Sequence, residues 1–165
     1  MFKAMRCRIK SSLYAVSLLI LLTGNTDAAL KGRVIRVLDG DTIEVLQVNN
    51  ERTRIRLNGI DAPEKKQDFG QRSRQFLNDQ IALQVVTIHG DETDRYGRVL
   101  GTVWLNGRDI NAEQIRHGMA WAYRYHGIAS NAEYEALEKE ARLHKLGLWS
   151  GPNPVEPWRW RKINN

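Results

Sequence analysis

The segments between Gly32 and Ile60 carry their apolar side chains in period-two patterns broken by short polar turns, and only further along does the spacing lengthen to that of a helix. Gly32–Leu38 and Thr42–Val48 are rich in Val, Ile and Leu and flank Asp39-Gly40, a dipeptide favoured in tight hairpins. Arg52–Ile60 alternates, with Ile55, Leu57 and Gly59 on one face and Arg54, Arg56 and Asn58 on the other. These patterns predict three antiparallel strands. A polar helix over Gln71–Ala82 follows, its apolar side made of Phe76, Leu77 and Ile81. Leu83–His89 and Val99–Leu105 read as two more strands, and Asn106-Gly107 as a hairpin turn. Asn111 is placed to cap a second helix, with Gln114 as its reciprocal partner, an Ile110–Ile115 staple and Gly118 at its end. A third helix is predicted from about Asn131 to Leu146, with Tyr134, Leu137 and Ala141 inward and the pairs Glu135–Lys139 and Glu138–Arg142 at i,i+4. Gly147 stops it. Five strands with one helix between the third and fourth is the order of an OB barrel. The expected fold is therefore α+β, mainly β: a five-stranded OB-fold barrel with three α-helices. That order alone selects no function.

The N-terminus reads as a segment removed before folding. Lys3, Arg6, Arg8 and Lys10 precede the apolar run Leu13–Leu22, and Thr26-Asp27-Ala28 offers small residues at cleavage spacing. The run has about half of the roughly 20 residues a spanning helix needs, which favours a cleaved signal peptide over a retained anchor. The expected organisation is a signal peptide over 1–28, a domain over 29–150 and a Pro/Trp-rich tail over 151–165, in a secreted or periplasmic protein. Residues Pro152, Pro154 and Pro157, with Trp149, Trp158 and Trp160, suggest an extended tail laid on the surface. The single cysteine, Cys7, leaves with the leader, so the exported chain folds on apolar burial without a disulfide. His89, His117, His126 and His144 lack zinc-site spacing. Apolar residues at 42 % and charged residues at 27 % exclude a disordered or fibrous chain. Loss of the leader lowers the formal charge from +6 to +3. A polyanionic partner must therefore be argued from where the charges lie.

Three groups of residues could carry chemistry. Asp39-Gly40-Asp41-Thr42 reads either as a plain hairpin turn or as carboxylates giving one or two oxygens to a hard cation; it lacks the further ligands of an EF-hand loop. Ile60-Asp61-Ala62-Pro63-Glu64 reads either as an exposed acidic loop or as a division of labour, in which one carboxylate binds metal and the other takes a proton from water. Arg56 and Arg98 are either surface arginines or forks for phosphate oxygens, able to hold the charge that develops at phosphorus. No serine triad, Walker loop or dinucleotide fingerprint competes with these groups. Together they describe metal-assisted phosphodiester hydrolysis. Tyr96, Tyr123 and Tyr125 either pack into a core or form a stacking surface, worth about 1–3 kcal/mol per base.

In this order, Val37-Leu38-Asp39-Gly40-Asp41-Thr42, Arg56-Leu57 through Glu64, Asp94-Arg95-Tyr96-Gly97-Arg98 and Gly147-Leu148-Trp149-Ser150 resemble the staphylococcal (micrococcal) nuclease, or thermonuclease, family. The likeness runs from about Lys31 to Ser150. It implies Ca²⁺-dependent cleavage of DNA and RNA, with the 5′ oxygen leaving and 3′-phosphate products; the expected partners are DNA and RNA, single strands favoured, for a monomer. The positions matching Asp41 and Asp61 bind calcium in that family, and Ala62 would add its backbone carbonyl. Glu64 matches the general base, and Arg56 and Arg98 match the arginines on the scissile phosphate. Tyr96, Tyr123 and Tyr125 match nucleotide-contacting tyrosines. Ala62 stands where the best-known member has threonine, and Lys65–Gly70 is short beside that member's loop. The alternative is a non-catalytic OB-fold nucleic-acid-binding module of the same ancestry, which has no need of all five charged positions. A structural or sugar-binding envelope domain explains export only.

Overall fold

The computed structural model describes residues 29–164, so the expected signal peptide lies outside the described residues. The alternating segments become β1 (Leu30–Asp39), β2 (Thr42–Leu46) and β3 (Arg52–Leu57), joined antiparallel. The helix α1 (Gly70–Ile81) then leads to β4 (Val85–His89) and β5 (Val99–Leu105). β1 is long and carries two register irregularities, between Val34 and Arg36 and between Val37 and Asp39. Such bulges bend a strand, which lets β1 pair with β2 along one part and with β4 along Leu30–Arg33. β5 pairs antiparallel with β4 and parallel with β3, where Arg56 faces Leu100. The β3–β5 pairing closes the sheet into a barrel and leaves the five strands without a long open edge.

Alternation puts Val34, Ile43, Val45, Ile55, Leu57, Val86, Ile88 and Val103 inside. Each buried side chain of this size contributes about 1.5–3 kcal/mol against its exposed state. α1 seals one end through Leu77 and Ile81, and α2 (Ile110–Arg116) adds Ile110 and Ile115. α3 (Ala132–Leu143) presents Tyr134 and Ala141, with Leu137 partly buried beside the core. Asn106 and Gly107, at φ 52° and 75°, make the expected turn after β5.

Two expectations need correction. The tail is not extended throughout: Pro157–Asn164 forms a fourth helix, α4, beyond the expected three. Proline at a first helical position loses no hydrogen bond and presets φ, so Pro157 starts this helix rather than breaking it. Nor does Asn111 cap α2. Asp109 does, accepting from the Ala112 N–H at 3.0 Å. Asn111 and Gln114 lie within the helix and are fully buried, so their side chains bind other backbone instead. Among the described residues no helix is long and apolar enough to cross a membrane.

Candidate active site

The β1–β2 turn supplies the first acid. Asp39 pairs with Thr42 across the hairpin, and its carboxylate accepts from the Asp41 N–H at 3.1 Å. Gly40 is required for space rather than for a left-handed turn: a Cβ there would collide with Ser73 Oγ and sit 2.8 Å from Ala62 Cβ. From α2, Gln114 Nε2 donates to the Gly40 carbonyl at 2.6 Å and fixes the turn from beneath. Asp41 is buried; its Oδ2 accepts from the Ala62 N–H at 2.6 Å and its Oδ1 from the Thr42 hydroxyl at 3.1 Å.

The second acid follows β3 directly. Ile60–Asp61 pairs with Trp121–Ala122, which buries Asp61 at 1 % exposure. Arg56 lies between the two acids, with Nη1 2.9 Å from Asp41 Oδ2 and Nη2 3.0 Å from Asp61 Oδ1. The Leu57 and Ile60 carbonyls accept from the same Nη1 at 3.2 and 3.1 Å. This guanidinium is locked in place before any ligand arrives. Glu64 is held by its backbone, its N–H donating to Gln67 Oε1 at 3.1 Å while Gln67 Nε2 donates to the Val155 carbonyl at 2.7 Å. Arg98 enters from the turn before β5, bound to Asp94 Oδ2 through Nε at 2.8 Å and Nη2 at 2.7 Å. Burial acts against the Asp94 charge, but the Arg98 and Tyr96 N–H groups and the Arg98 guanidinium hold its carboxyl below the usual range.

All of these line one cleft of about 630 Å³: Asp39, Asp41, Arg56, Asp61, Ala62, Glu64, Tyr96, Arg98 and Tyr123. Residues up to 84 positions apart in the chain, Asp39 and Tyr123, thus meet in one place. Tyr96 and Tyr123 stay exposed at its rim, and the Arg98 guanidinium lies 5.4 Å from the Tyr96 ring centre. Tyr125 does not line the cleft; it sits on the small hairpin Arg124–Tyr125/Ile128–Ala129 with its ring against His126.

The donor chemistry suits a hard cation. Burial raises the Asp41 carboxyl to about 6, with Arg56 opposing and Asp39 adding to the rise. Burial also raises Asp61, against the bonds from Arg161, with Asp41 adding to the rise. The acidic end holds four carboxylates, Asp39, Asp41, Asp61 and Glu64, against two guanidinium groups, Arg56 and Arg161, so negative charge is left over. Oxygen-only donors with surplus negative charge fit Ca²⁺ or Mg²⁺ rather than a softer ion. Among the described residues no group of three or more His, Cys, Asp or Glu side chains is placed to hold a metal ion. An ion there would draw on Asp41, Asp61 and backbone carbonyl, with water or substrate completing the shell.

Arg161, outside every sequence motif named above, also reaches the acids. It projects from α4, with Nη1 donating to Glu64 Oε1 at 2.8 Å and Asp61 Oδ1 at 3.2 Å, and Nη2 to Asp61 Oδ2 at 2.9 Å. Burial works against its charge, but the Asp61 and Glu64 bonds outweigh it and hold the guanidinium protonated. The sequence signal was Pro157 followed by a basic-aromatic helical turn. Gln67 and Gln114 gave no such signal, since their roles depend on backbone atoms 88 and 74 residues away.

Comparison with known proteins gives a consistent picture. A family model described as "Staphylococcal nuclease homologue" matches residues 54–151. The chain is 46 % identical over 159 residues to a protein named Micrococcal nuclease from Shigella flexneri, covering 91 % of each. It is 50 % identical over 147 residues to Protein ParB from Escherichia coli, covering 84 % of this chain and 82 % of that one. An uncharacterized endonuclease from Escherichia coli is 46 % identical over 135 residues, covering 81 % and 86 %.

Proposed function

The chain belongs to the staphylococcal nuclease family, and on that premise we propose that it is an exported, Ca²⁺-dependent nuclease that hydrolyses phosphodiester bonds of DNA and RNA. One observation carries this reading: two buried aspartates, a glutamate and two arginines oriented by carboxylates line a single cleft. A pure binding module would have no use for buried carboxylates in a groove meant for a polyanion. Asp41 and Asp61 would hold the ion, with the Ala62 carbonyl. The ion would supply charge neutralisation and orientation of the phosphate.

The chain's own groups do the rest. Glu64, anchored through its N–H by Gln67, accepts a proton from the attacking water. Arg98, aimed by Asp94, and Arg56, at the junction of the acids, oppose the negative charge that grows on the equatorial oxygens. The 5′ oxygen leaves and the product ends in a 3′-phosphate. Tyr96 and Tyr123, and Tyr125 beyond the rim, offer faces on which unpaired bases stack, which favours single strands. The protein would act as a monomer outside the cytoplasm after loss of residues 1–28, with residues 29–150 as the catalytic domain.

The decisive experiment uses single-stranded DNA and RNA with the protein in Ca²⁺, in Mg²⁺ or in chelator, beside Glu64→Gln. Full cleavage is expected in Ca²⁺, weak cleavage in Mg²⁺ and none in chelator, because the smaller ion demands a stricter octahedron. Glu64→Gln should slow cleavage by about 10²–10⁴-fold. Undiminished cutting in chelator overturns the metal role, and an unchanged Glu64→Gln rate overturns the base.

A further inference from the structure

The family match ends at residue 151, yet the chain continues into α4, and α4 returns to the cleft. Two contacts hold the returning segment. The Val155 carbonyl accepts from Gln67, and Trp158 packs edge-on to Trp121 with ring centres 5.7 Å apart. Pro157 is buried where the helix begins. One turn on, Arg161 reaches both Asp61 oxygens and Glu64.

The two guanidinium groups on Asp61 differ in kind. Arg56 lies on a barrel strand and is also fixed by the Leu57 and Ile60 carbonyls. Arg161 stands on a short terminal helix, is 36 % exposed, and makes its described hydrogen bonds only to the two acids. It can therefore leave without breaking backbone contacts. While in place it occupies Asp61 Oδ2, shares Oδ1 with Arg56 and holds a positive charge about 3 Å from oxygens a cation would need.

We propose that α4 is an intramolecular latch, in which Arg161 competes with the divalent cation for Asp61 and Glu64 and is displaced when the cation binds. This rests on the cation site described above. In the latched state the acids are partly neutralised and the site is closed to metal. The apparent affinity then falls by the fraction of molecules that are unlatched at a given moment.

The test is calorimetric titration of the protein with Ca²⁺, without nucleic acid, beside Arg161→Gln and Arg161→Lys. If about one molecule in ten is unlatched, Arg161→Gln should bind Ca²⁺ about 10-fold more tightly. Its thermal midpoint in chelator should fall, because the acids lose a partner. Arg161→Lys keeps the charge but not the fork and should lie between. A nitroxide on Ile163→Cys, in protein lacking the leader and therefore Cys7, reports the helix directly. Its mobility should rise with Ca²⁺ in the otherwise unaltered protein and be high from the start in Arg161→Gln. Equal or weaker Ca²⁺ binding by Arg161→Gln overturns the latch and makes Arg161 a support for the acids. Absence of Ca²⁺ binding by every form overturns the cation site itself, and the latch with it.

Discussion

Asp41 shows how burial sets the working range of a single group. Its carboxyl is pushed up to about 6 from 3.8, mainly by burial. The folded protein therefore binds this proton more tightly than the unfolded chain does. Its contribution to stability in chelator is greatest below the unfolded value and is lost as pH rises through about 6. Cation binding runs the other way, because it needs the ionised form. Calcium affinity should fall about tenfold per unit as pH drops below about 6, and calorimetry at pH 5 and pH 7 would show it. Asp41→Asn should remove most of the binding and flatten that slope, leaving the share that belongs to Asp61. Gly40 is the neighbouring test. Its neighbours Ser73 and Ala62 leave no room for a Cβ, so Gly40→Ala must displace the turn that aims Asp41. Overpacking of this kind costs about 1–3 kcal/mol, and cleavage should drop by at least tenfold while the barrel still melts cooperatively.

At the scale of elements, Glu138 is the join between α3 and the strand pair next to the cleft. In the sequence it reads as half of a surface i,i+4 pair with Arg142, and that pair does form at 2.7 Å. The residue is nevertheless buried, and it also accepts from the Ala122 N–H at 2.7 Å and from Arg124 at 2.9 and 3.2 Å. Arg142 in turn lies 3.9 Å from the Trp149 ring centre, which fastens the end of the domain to the same hub. Glu138→Ala leaves Arg124 and a backbone N–H without their acceptor. It should cost about 3–5 kcal/mol in denaturant unfolding, and Glu138→Gln should cost less. Because Tyr123 lies between Ala122 and Arg124, the same change should raise KM for single-stranded DNA more than it lowers kcat. Periodicity located α1, α3 and all five barrel strands to within a few residues, since each is set by its own burial pattern. It misplaced the α2 cap because Asn111 and Asp109 are both good capping residues. The choice fell to the Val103 N–H and the Asn58 and Gly101 carbonyls, which claim Asn111.

For the whole molecule, charge is a matter of placement more than of sum. The formal excess over the expected mature chain is small, but Arg56, Arg95, Arg98 and Arg161 all face one cleft. Substrate binding should therefore weaken as salt rises, with log affinity linear in log salt and a slope of roughly −0.7 per phosphate contacted on a single strand. Arg98→Ala should lower that slope by about one contact, measured by fluorescence anisotropy with an uncleavable analogue. Position along the chain already determined the barrel, through alternation and turn residues, and the identity of the acids and arginines, through four motifs in order. Those are local properties, written within a few residues of one another. Only the folded chain decided that Arg56 bridges both acids, that Gln67 and Gln114 hold the loops bearing them, and that a fourth helix returns an arginine to their edge. Each of these depends on contact between segments far apart in sequence, and neither periodicity nor composition carries distance through space.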